Sequence, residues 1–221
     1  MMGYVTVIIP ARNEENNVCR IINFLKNHDI VNQIVVVNNC SDDNTFKLAS
    51  EAGAQVVDCN DLGKGYAMET GLKFAKNEVI VFLDADVDNY FDNMVELLSE
   101  PIFSGEADFV KSTFERTKGG VVTEVAVKPM LSASYPDMYK FSEPISGMIA
   151  ARKDVFESLD FEKDYGVDIG ILIDVIEKGY RVSEVNIGRI ENMSHINKTV
   201  DRMSKMSSEI INAIAKRVNN K

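Results

Sequence analysis

No stretch of the chain approaches the roughly 20 apolar residues that a membrane-spanning helix needs. The amino terminus, Met1-Met2-Gly3-Tyr4, also has neither the basic segment nor the apolar core of a secretory leader, so a soluble, cytoplasmic protein is expected. The Asn-x-Ser/Thr triplets at Asn192 and Asn197 are then chance occurrences. Cysteine is scarce. Cys19, Cys40 and Cys59 are odd in number and lack close metal-ligand spacing, which argues against a disulfide framework or a zinc site and fits a reducing compartment. Basic residues are outnumbered, 24 Lys and Arg against 34 Asp and Glu for a formal charge of −10, and they form no dense stripe. Nucleic acid is therefore not an expected partner. Two phosphate-binding signatures are missing as well: neither Gly-x-x-x-x-Gly-Lys-Ser/Thr nor Gly-x-Gly-x-x-Gly follows the first strand. Repeats and low-complexity segments are likewise not seen.

What the chain does have is an alternation of strand and helix patterns. At 221 residues and 45% hydrophobic it is long enough for one well-filled core, so a single domain over 1–221 is expected. Strands are predicted at Tyr4–Pro10, Gln33–Val37, Gln55–Val57 and Val79–Leu83, with helices at Glu14–Asn27, Asp43–Ala52 and Lys64–Lys76 between them. This is the winding of a mostly parallel α/β sheet. Further along, a helix is predicted at Phe91–Leu98, a strand at Phe109–Phe114, a helix at Val167–Lys178 ended by Gly179, and a strand at Arg181–Ile187. A long terminal helix follows at Val200–Val218. The apolar segments from Val121 to Tyr139 receive no assignment.

Four polar segments fall where strands end and helices begin, the edge at which open α/β sheets bind ligands. Asp84-Ala85-Asp86 closes the apolar run Val79–Leu83. Asp84 and Asp86 sit two residues apart and, on a strand, would face the same way toward one hard divalent cation, although a solvated turn is the plainer reading. Pro10-Ala11-Arg12-Asn13-Glu14-Glu15 either grips a nucleotide or starts a helix with Asn13 as its cap. Asn38-Asn39-Cys40-Ser41-Asp42-Asp43-Asn44-Thr45 has the same two readings. In Gly63-Lys64-Gly65, glycines permit close backbone approach and Lys64 offers a charge to a phosphate.

Taken in order, these four segments resemble nucleotide-sugar transferases of the A-type glycosyltransferase fold, in the large family 2-like group. Asp108-Phe109-Val110-Lys111-Ser112, Gly119-Gly120-Val121-Val122-Thr123-Glu124, Lys128-Pro129-Met130-Leu131, Tyr165-Gly166-Val167-Asp168-Ile169-Gly170 and Met203-Ser204 extend the resemblance over nearly the whole chain, toward glucosyl- and mannosyl-3-phosphoglycerate synthases. The resemblance implies a Rossmann-like, mostly parallel sheet flanked by helices. It divides into a nucleotide-sugar half (1–88), an acceptor half (89–197) and a C-terminal helix (198–221). It also implies uracil and ribose contacts from Pro10, Ala11, Glu14, Asn38 and Asn39, a nucleotide contact from Lys64, and a diphosphate bordered by Asp84, Ala85 and Asp86. Mg²⁺ or Mn²⁺ would be held by Asp86 and His195, and the acceptor by Gly120, Val121, Val122, Thr123 and Asn197. A homodimer is implied too.

The implied reaction moves a hexose, with glucose from UDP-glucose favoured, to a small hydroxylated acceptor such as 3-phosphoglycerate, with retention. An inverting course would need a carboxylate base, for which Asp168 and Glu124 are the candidates, and Asp168 is equally a helix-start residue. Several positions depart from the family. Asn38 replaces an acidic residue facing the base, Val121 an arginine, Met148 a carboxylate and Met193 a basic residue. A less charged acceptor is one consequence; compensation by Arg116, Lys118, Arg152 or Arg189 is the other. Two other classes stay open. A nucleotidyltransferase would carry a glycine-rich basic loop after the first strand, and a non-catalytic nucleotide-sugar-binding protein would bind without turnover.

Overall fold

The computed structural model describes residues 3–87, 89–116, 120–190 and 200–219. Four apolar runs form the parallel half of its sheet: β1 (Val5–Ala11), β2 (Val31–Asn39), β3 (Gln55–Cys59) and β4 (Val79–Phe82). They are wound through α1 (Val18–Leu25), α2 (Thr45–Glu51) and α3 (Lys64–Phe74). Beyond β4 come α4 (Met94–Phe103), β5 (Phe109–Arg116), a π-helical turn at Thr123–Val127 and α5 (Lys128–Ser134). The chain then continues through β6 (Ile149–Arg152), α6 (Lys153–Glu157), α7 (Val167–Glu177), β7 (Val182–Ile190) and α8 (Val200–Val218).

The seven strands form one sheet in the order β3-β2-β1-β4-β6-β5-β7. β6 is antiparallel to both β4 and β5, and β7 is parallel to β5, so six of the seven strands point the same way. The period-two alternation of side chains explains the three layers. On β1, Val5, Val7 and Ile9 pack with α1 and α4 on one face, while Ile8 packs with α3 on the other. Phe82, Phe109 and Phe156 meet edge to face in the second layer, with ring centroids 5.0 and 6.1 Å apart.

Four elements differ from expectation. Helix α1 starts at Val18, not Glu14, and Asn13 is no cap: its φ is +57°, in the left-handed region. The reason is competition for backbone donors. The N–H groups of Asn13, Glu14 and Glu15 donate to Ser41 Oγ, Thr45 Oγ1 and Asp43 Oδ2, tying the first strand-end loop to the second. α4 runs on to Phe103 with Pro101 inside it, past the predicted end at Leu98. The four-residue strand β6 and short α6 were not anticipated, because neither is long enough to show a period.

Candidate active site

The carboxyl ends of β1, β2 and β4 and the starts of α3 and α7 border one cavity of about 1210 Å³. Its donor side contains Pro10, Ala11, Glu14, Asn39, Gly63, Lys64, Asp84, Ala85 and Asp86, and its far side Gly120, Val121, Val122, Thr123 and Asp168. Two predicted residues stand outside it. Asn38 does not line the cavity; its amide donates to Asp58 across the β2–β3 pair at 2.8 Å. Glu124 is an exposed side chain of the π-helical turn, ion-paired with Lys128, so of the two base candidates only Asp168 faces the cavity. His195, Asn197 and Met193 lie outside the described residues.

Asp84 and Asp86 do not act as one strand face. β4 ends at Phe82, and Ala85 and Asp86 lie in a turn whose carbonyls, those of Asp84 and Ala85, accept from the Tyr90 hydroxyl at 3.1 and 3.2 Å. Asp84 is taken by Lys64, whose Nζ lies 2.9 Å from Asp84 Oδ1 and 2.9 Å from Asp168 Oδ2. Burial alone would disfavour the Lys64 ammonium, but Asp168 and Asp84 outweigh it and hold its pKa above the ordinary value. Burial likewise raises Asp168, against the opposing pull of Lys64. Asp86 is different: among the described residues its carboxylate has no hydrogen-bond or ion-pair partner, yet it lines the cavity. No three ligating side chains gather into a complete cation cage among the described residues. A free carboxylate beside a diphosphate's place suits a hard divalent ion whose remaining ligands come from elsewhere, so Asp86 fits the implied metal.

The Gly-Lys-Gly segment works differently from a phosphate cradle. Gly63 has φ +148°, and its N–H donates to Asn39 Oδ1, while Asn39 Nδ2 reaches the Asp61 carbonyl. Gly65 donates to the Lys163 carbonyl, and a Cβ there would run into the Glu162 carbonyl. These glycines serve backbone packing that aims Lys64 inward.

One functional group was missed by sequence reasoning. Lys111, fully buried on β5, donates to the Ser146 carbonyl at 2.7 Å, and burial brings its pKa down to about 8. Ser112 and Ser146 hydroxyls meet at 2.7 Å. Together they seat Gly147 against the Lys64–Asp84 pair, where a Cβ would come within 2.7 Å of Asp84 Oδ1. The signal available was a lysine inside an otherwise apolar strand.

With this geometry in place, comparison with known proteins is informative. The family model described as glycosyl transferase family 2 matches residues 6–159. The chain belongs to that family. As a family 2 glycosyltransferase, it is 30% identical to the glucosyl-3-phosphoglycerate synthase of Mycobacterium tuberculosis (strain CDC 1551 / Oshkosh), over 96% of this chain and 73% of the relative. It is 29% identical to that of Petrotoga mobilis, over 97% and 73%. A crystal structure of the M. tuberculosis synthase with Mn²⁺, UDP-glucose and phosphoglyceric acid superposes with a TM-score of 0.92 at 31% identity, covering 98% of this chain and 80% of that one. Another, with Mg²⁺ and UDP, gives 0.91 at 30% over the same shares. The A-type glycosyltransferase fold is thereby established for this chain, and so is its class, a glycosyltransferase. No helix among the described residues is long and apolar enough to cross a membrane.

Proposed function

We propose that this enzyme transfers glucose from UDP-glucose to a hydroxyl of a small acceptor, using Mg²⁺ or Mn²⁺. The observation that carries the reading is Asp86: an unpartnered carboxylate in a cavity whose walls include the four strand-end segments. In the reaction, the bond from glucose C1 to the β-phosphate oxygen breaks and its electron pair leaves with UDP. The acceptor oxygen bonds to C1 on the same face, and its proton passes to the departing phosphate, giving retention without a protein nucleophile. When bound, the divalent ion would supply positive charge at that phosphate; Asp86 would hold it, with His195, which lies outside the described residues, as the second ligand the resemblance implies.

The protein's own residues do the positioning. Lys64 clamps Asp84 and Asp168 in fixed places at the junction of the donor and acceptor sides. Asp168 keeps Oδ1 unpartnered and buried, an acceptor for the incoming hydroxyl. Phosphoglycerate is the acceptor named in relatives at about 30% identity.

Calorimetric titration of UDP and GDP, with and without Mn²⁺, tests the donor site on the native protein and on Asp86→Ala. UDP should bind in a Mn²⁺-dependent manner, and the variant should lose about tenfold or more in affinity, or about 1.4 kcal/mol. If neither nucleotide binds the native protein, the proposal fails and only fold is shared.

A further inference from the structure

Resting on that donor reading, we infer that the acceptor end is built for an uncharged alcohol bearing an apolar group, in preference to a phosphorylated acceptor. The polar groups on offer there are the first argument. Thr123 is 2% exposed and Asp168 7% exposed; Thr123 Oγ1 and Asp168 Oδ1 are both buried without a partner, on residues that line the cavity. A carboxylate oxygen accepts hydrogen bonds and repels a phosphate, whereas hydroxyl groups on a ligand can pair with either kind of atom.

The surrounding wall is the second argument. Val121 is 54% exposed, and its neighbour in the chain, Val122, belongs to the apolar cluster that Ile145, Met203 and Met206 pack against; all five line the cavity. These offer contact to hydrocarbon and no hydrogen bonds. Among the described residues, the cation lining this side is Lys205, and it is already engaged by Asp164 at 3.0 Å and Glu209 at 3.5 Å. Lys64, at the junction, is spent on Asp84 and Asp168. Of the residues that could have compensated for Val121, the side chains of Arg116 and Lys118 lie outside the described residues, and the other two do not reach this place. Arg152 pairs with Asp154 and Asp108 at the opposite edge of the sheet, where it registers with Val79, and Arg189 is exposed and outside the cavity wall. A phosphate would therefore enter beside Asp164, Asp168 and Asp201, and among the described cations lining the cavity the uncommitted one is Arg12, on the donor-side loop that follows β1.

The chemical step is unchanged: C1 leaves the UDP oxygen for the alcohol oxygen, and the alcohol's proton ends on the released UDP. The test compares two probes built on a three-carbon backbone, 3-phosphoglycerate and 1-O-butylglycerol, titrated into the native protein saturated with UDP and Mn²⁺, and then assayed with UDP-glucose for product by mass spectrometry. The butyl ether should bind at least about tenfold more tightly, and Val121→Arg, which restores a guanidinium to the wall, should invert that order by about tenfold with UDP affinity unchanged. Tighter binding of 3-phosphoglycerate to the native protein overturns the inference, and so does binding of neither probe. In both cases intact UDP binding leaves the donor reading standing; loss of UDP binding instead brings down the donor reading first.

Discussion

Gly147 illustrates how a single atom's absence can organise this site. A Cβ at this position would run into the Lys64–Asp84 pair, and Lys64 cannot retreat because Asp168 holds the same ammonium at 2.9 Å. Gly147→Ala should therefore fold with a modest loss of Tm but lower UDP-glucose turnover about tenfold or more, because a misplacement of about 1 Å disturbs catalytic geometry far more than stability. Thermal melts beside steady-state rates would check this, and an unchanged rate would show the pair to be free to shift. Much of this was legible beforehand: Lys64, Asp84, Asp86 and Asp168 all stood out as strand-end or helix-start residues. That Lys64 would be consumed by two carboxylates was not legible, since Asp168 lies 104 positions away. Lys111 escaped for the related reason that a lysine reads as surface unless its burial is known.

The elements are locked together by a few buried ion pairs, of which that between α8 and α7 is the most complete. Arg217, 7% exposed, donates from Nε and Nη2 to Asp174 at 2.6 and 2.7 Å and from Nη1 to Glu162 at 2.7 Å. Gly170 on α7 leaves room for the guanidinium, which sits 2.8 Å from where a Cβ would be. α8 also carries Met203, Lys205 and Met206 to the cavity, so its docking shapes the acceptor end. Arg217→Ala would strand Asp174 and leave Glu162 with Lys216 as its partner, and a loss of about 3 kcal/mol is expected, which for a chain of this size lowers Tm by about 10 °C. Arg217→Lys should recover only part of it, because the planar fork is lost. The sequence showed α8 as an amphipathic helix but said nothing of this pairing. In the same way, the expected start of α1 at Glu14 reflected local capping rules, whereas the loop at Ser41–Thr45 claims the donors of residues 13–15.

At the scale of the whole molecule, the opposite edge of the sheet contributes a pH-dependent increment of stability. Hydrogen bonds from Arg181, with its charge and that of Arg152, hold the Asp108 carboxyl down to about 2. A carboxylate lowered in the folded state contributes stability above its unfolded pKa and loses it as pH falls from about 4 to about 2. Urea unfolding of the native protein and Asp108→Asn should accordingly differ at pH 7 and converge toward pH 2; a gap that is constant with pH would deny Asp108 this role. The sequence by itself determined that strands and helices alternate and that four polar segments follow strand ends. In a parallel sheet all carboxyl ends share one edge, so local pattern was enough to gather those segments in one place. Tertiary structure alone decided the rest: the antiparallel insertion of β6, the pairing of Lys64 across the molecule, and which oxygens of Thr123 and Asp168 stay unpartnered. Those outcomes depend on packing between residues far apart in the chain, on which periodicity along the chain carries no information.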